Sequence, residues 1–134
     1  MHPIAWIVVG GALGAACLAP AIRFSRRGVL LVVLIAVVAM NGIYVGAALN
    51  SPIGVLLGET ALATVLCVAA FVLYRSRSVW LVACVFVHGV VDGLHQVIEA
   101  APIPEWYILA CLGFDLAYGA VAAWLVSRAP YARS

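Results

Sequence analysis

The chain has 134 residues, 67% of them hydrophobic and 9% charged. Soluble domains carry about 25% charged residues, so a water-exposed globular surface is excluded and lipid is the expected solvent, as the mean hydropathy of +1.21 also indicates. The net charge of +2 comes from scattered arginines with no aromatic-interleaved basic stripe, which excludes a nucleic-acid-binding surface.

Five apolar stretches are predicted, at about 4–22, 29–49, 53–74, 79–99 and 105–127. Each approaches or exceeds the roughly 20 residues a helix needs to cross ~30 Å of hydrocarbon. Helix is forced, because backbone groups in lipid must pair within their own segment. The first stretch lacks a basic residue before its apolar run, which reads as a retained span and not a cleaved leader. It ends at Arg23-Phe24-Ser25-Arg26-Arg27-Gly28, the second at Asn50-Ser51-Pro52, the third at Arg75-Ser76-Arg77-Ser78 and the fourth at Ala101-Pro102-Ile103-Pro104. The expected fold is an all-α integral membrane bundle of five transmembrane helices, a single domain over residues 1–134.

Arginines set the expected orientation. Arg23, Arg26 and Arg27, then Arg75 and Arg77, then Arg128 and Arg133 fall on one side of a five-span chain. The positive-inside rule puts that side in the cytoplasm and the N-terminus outside. The location implied is a bacterial inner membrane, multi-pass. Trp6, Trp80, Trp106, Tyr107 and Trp124 read as interfacial anchors. Glu105 reads as a carboxylate at a helix N-terminus, and His2 as solvated.

Four glycine pairs have the spacing that lets helix backbones approach: Gly10/Gly14, Gly42/Gly46, Gly54/Gly58 and Gly89/Gly93. They favour a tight bundle and offer faces for a homo-oligomer. Cys17, Cys67, Cys84 and Cys111 all fall in apolar runs and form no CxxC, so they read as buried structural thiols.

Ionisable residues inside apolar spans are costly and usually functional. His88, Asp92, His95 and Glu99 follow one another by four, three and four residues, which places them in one narrow stripe of a helix at ~100° per residue. Asp115, with Cys111 and Tyr118 on neighbouring faces, and Glu59 lie at similar depth. Asn41, with Tyr44 one turn further out, is expected to make an interhelical hydrogen bond. These polar groups share the outer half of the predicted bilayer, so a pocket opening outward is expected.

His88, Asp92, His95 and Asp115 are the candidate metal ligands, for zinc or a similar divalent metal. His88, Asp92, Asp115 and Glu59 are the candidate catalytic acids and bases. The bland alternative is that His–carboxylate pairs only satisfy one another and fix register.

His88-Gly89-Val90-Val91-Asp92-Gly93-Leu94-His95, followed by Pro104-Glu105-Trp106-Tyr107, Cys111 and Asp115, resembles small bacterial polytopic membrane proteins with an H-x3-D-x2-H helix, a Pro-aromatic loop and a Cys/Asp helix. The resemblance covers the last third of the chain and implies a site location without an activity. A looser similarity is to membrane sterol isomerases, from which the spacing and span count depart.

The function expected is a metal-binding or acid–base enzyme acting on a lipid-like or isoprenoid substrate, with membrane lipid as its surroundings. The alternatives are an ion or proton transport component and a non-catalytic assembly subunit.

Overall fold

The computed structural model describes residues 2–98 and 103–128, the side chains of 96–98 excepted. Glu99, the Ala101-Pro102 turn and Arg133 lie outside the described residues. The described chain is all-helical: α1 (Pro3–Cys17), a short 3-10 helix (Ala19–Arg23), α2 (Arg26–Ala48), α3 (Ile53–Arg75), α4 (Leu81–Ile98) and α5 (Glu105–Arg128). Four segments, Pro3–Arg23, Arg26–Ala48, Ile53–Arg75 and Glu105–Arg128, are long and apolar enough to cross a membrane. The apolar part of α4, Leu81–His95, is shorter.

The first stretch, expected as one helix, is two. Pro20 lacks an N–H and cannot continue the α-helical ladder, so the chain tightens into 3-10 geometry from Ala19. The second helix starts earlier than its apolar run, because Ser25 caps it by accepting from the Gly28 N–H at 3.3 Å. His2, exposed as expected, caps α1 in the same way, its Nδ1 accepting from Ile4 N–H at 3.4 Å.

Helix packing is unequal. α1 packs chiefly on α5, and α5 in turn on α4; α2 packs on α3 and reaches α4 and α5. The α1–α5 seam is made by glycine. A Cβ on Gly10 would lie 1.8 Å from the Ala110 carbonyl oxygen, one on Gly14 2.5 Å from that of Phe114, and one on Gly113 2.1 Å from that of Ile7. Of the four glycine pairs expected to favour a tight bundle, Gly10/Gly14 lies in a seam within the chain, and Gly89 of another meets Asp115. A Cβ on Gly42, Gly46, Gly54, Gly58 or Gly93 would meet nothing within 4 Å among the described residues, so these five seal nothing within the chain.

The interior divides lengthwise. One end holds an apolar core from Leu18, Val29, Val33 and Val37 of the first half, Leu81 and Val85 of α4, and Tyr118, Ala122 and Leu125 of α5. Tyr118 adds a tie across it, donating from its hydroxyl to the Val32 carbonyl at 3.1 Å. The other end holds the buried polar residues Asn41, Glu59, His88, Asp92, His95 and Asp115. The outer faces stay apolar: Val65, Val68, Phe71 and Val72 of α3 are all more than half exposed. Of the thiols, Cys84 is buried, Cys67 and Cys111 half-buried and Cys17 exposed, so burial holds for one of the four expected.

Candidate functional site

The stripe on α4 faces inward, and α2, α3 and α5 each bring a partner to it. His88 and Asp92 are one turn apart, with Nδ1 of His88 3.6 Å from Oδ1 of Asp92. The same nitrogen lies 2.9 Å from Oδ2 of Asp115, which α5 presents at the level of His88. Gly89 permits that approach: a Cβ there would stand 3.2 Å from the Asp115 Cβ. Asp92 also accepts a short hydrogen bond from the Tyr44 hydroxyl of α2.

His88, Asp92 and Asp115 are 2% exposed or less and offer ligand atoms that all lie within 4.8 Å of one another. Ligands about 2.1 Å from a tetrahedral zinc stand roughly 3.4 Å apart. The separations of 2.9 and 3.6 Å around His88 straddle that spacing, so the group can hold a small cation. Oδ2 of Asp92 and Oδ1 of Asp115 are fully enclosed, and among the described residues no hydrogen-bond donor reaches them. An enclosed carboxylate oxygen without a partner is costly, and a proton or a metal ion is small enough to sit beside it.

His95 stands apart from this group. Its Nδ1 faces the Val91 carbonyl oxygen at 2.9 Å, an acceptor only, so Nδ1 carries a hydrogen. Its Nε2 meets Oε1 of Glu59 at 2.6 Å, with one proton between them. Both ring nitrogens are thus engaged, and His95, expected among the metal ligands, lies outside the group of His88, Asp92 and Asp115. The pair is neutral whichever partner holds the shared proton, and it fixes α3 against α4. Tyr44 bridges the two groups, its ring stacked on His95 at 4.8 Å between centroids and edge-on to His88 at 5.4 Å.

Among the described residues Asn41 makes no hydrogen bond to another helix. Its Nδ2 donates to the Val37 carbonyl one turn back at 2.8 Å, which corrects the interhelical bond expected. Tyr44 is the residue left out of the expected site. Its place one turn beyond Asn41, level with the α4 stripe, was the available signal, but tyrosine also reads as ordinary core.

A cavity of about 230 Å³ adjoins the cluster, lined by α1, α2 and α5 with His88 of α4 at its floor. Tyr44 and Asp115 share the floor, Met40, Phe114 and Cys111 form the walls, and Leu13 and Ile43 the rim. No protein family, curated relative or solved structure matches the chain.

Proposed function

We propose that this chain is a multi-pass bacterial inner-membrane protein of five spans, N-terminus outside. His88, Asp92 and Asp115 form its divalent-metal centre in the outer half of the bilayer, at the floor of a pocket for a lipid-like substrate. Four long apolar helices and their exposed apolar faces support the membrane reading, because soluble proteins rarely leave such patches uncovered. The described arginines, at helix ends and in loops, support the orientation.

One observation carries the metal reading: two enclosed carboxylate oxygens without donors, in a ligand set within 4.8 Å. The chain has no lysine, and its described arginines stand at the ends of the helices. Among the described residues His88 is the basic side chain in contact with both aspartates, and a divalent ion would neutralise them. Imidazole with carboxylates suits zinc among other metals. Three protein ligands leave a coordination position for substrate or water, so the ion would polarise an oxygen or activate a water. Glu59 and His95 hold the framework and do not touch the ion.

A second reading is favoured by the 2.9 Å approach of Asp115 to His88. With Nδ1 donating to that carboxylate, Nε2 becomes the basic nitrogen, and the same residues act as acid and base without metal. The apolar core at the other end speaks against a continuous proton path.

Metal analysis of the protein purified without chelators decides between the two readings. Near-stoichiometric divalent metal is expected, lost in Asp92→Asn and Asp115→Asn and retained in His95→Ala. A wild-type protein that stays metal-free after dialysis against zinc, cobalt and manganese sinks the metal centre.

A further inference from the structure

We propose that the pocket takes an uncharged long-chain alcohol, or its carbonyl counterpart, that enters sideways between α1 and α2. This inference rests on the membrane-embedded pocket proposed above and not on its being loaded with metal. The route is read from exposure. Leu13 of α1 and Ile43 of α2 are 57% and 48% exposed, whereas Tyr44, His88 and Asp115 beneath them are buried. The rim therefore opens on the apolar flank of the bundle, where α1 leans on α5 and not on α2.

Size and charge name the occupant. A cavity of about 230 Å³ lies below the roughly 300 Å³ at which pockets for whole drug-sized ligands begin. It admits a small head and a few carbons, and the rest of the chain stays outside along the exposed flank of α2. The lining holds no arginine, and two carboxylates sit at or beside the floor. With no arginine or lysine in the lining, an anionic head would meet like charge beside the metal-free carboxylates and would bury a net negative charge beside an ion that they already neutralise, so an anionic lipid is disfavoured in either state. A hydroxyl can donate to a carboxylate and present its oxygen to a cation, and so fits the floor with or without metal.

The test uses the full chain in lipid nanodiscs, with Cys17, Cys67 and Cys84 replaced by alanine so that Cys111 in the cavity wall reports occupancy. A long-chain alcohol carrying a diazirine in its chain is compared with a phosphatidic acid carrying the same photoreactive chain. The alcohol should crosslink to α1, α2 and α5 around the cavity and slow maleimide alkylation of Cys111 several-fold. Leu13→Trp and Ile43→Trp should cut the crosslinking several-fold, Leu13→Ala with Ile43→Ala should raise it, and Val65→Trp on α3 should leave it unchanged. An alcohol that neither crosslinks there nor protects Cys111 overturns the inference, as does equal labelling by phosphatidic acid. Rim variants of both kinds without effect overturn the route. Alcohol protection in a protein that binds no metal removes the metal centre and keeps this inference; metal without protection does the reverse.

Discussion

Tyr44 carries more of the site than its residue type suggests. Its hydroxyl is the donor to Oδ1 of Asp92, whose other oxygen has none. Tyr44→Phe leaves that buried carboxylate with no donor from tyrosine, a loss of about 1–3 kcal/mol. Tyr118→Phe breaks a bond to a neutral backbone carbonyl and is expected to cost about 0.5–1.5 kcal/mol. Denaturation of both variants in detergent should therefore rank Tyr44→Phe as the less stable; the opposite order would mean that the Tyr44 hydroxyl is not anchored on Asp92. The α4 stripe was legible because spacing in a helix fixes direction, and an ionisable face in an apolar helix must turn inward. Which partner each member meets was not legible. His95 and His88 look equivalent in sequence, yet one meets Glu59 and the other Asp115, a choice made by how α3 and α5 lie against α4.

The helices themselves were the most readable feature, because lipid leaves an apolar segment of that length little alternative to helix. Their ends and their seams were less so. Pro20 split the first stretch, and an early serine cap lengthened the second. Glycine spacing alone could not tell the seam at Gly10 and Gly14 from the open positions at Gly54 and Gly58, since the difference lies in the facing helix. Gly113→Ala pushes a methyl into the backbone of α1 at Ile7, and overpacking of this kind costs about 1–3 kcal/mol or more. Gly58→Ala meets nothing within 4 Å and should be neutral or stabilising, because alanine in a helix interior is favoured over glycine by roughly 0.5–1 kcal/mol. Thermal melts of the two variants check this; equal melts would mean that α1 does not sit against α5 as described.

For the whole molecule, orientation is the property that gives the pocket its side. With all native cysteines replaced, Ser51→Cys in the turn between α2 and α3 should react with a membrane-impermeant maleimide on intact spheroplasts. Ser76→Cys, after α3, should react only once the membrane is opened. The reverse pattern would turn the pocket toward the cytoplasm and reject the outward orientation, leaving the packing untouched.

The dependence of α1 on α5 has a consequence for how the chain is made. Synthesis delivers α1 before α5, yet the backbone groove that its glycines fit belongs to α5. The hairpin of α2 and α3 can associate before α5 is made, but α1 gains its chief partner only when α5 arrives. α5 therefore closes on α1 as a clasp. A nascent chain stopped before α5 would leave α1 without that docking surface and the pocket beside it without the wall that Cys111 and Phe114 form.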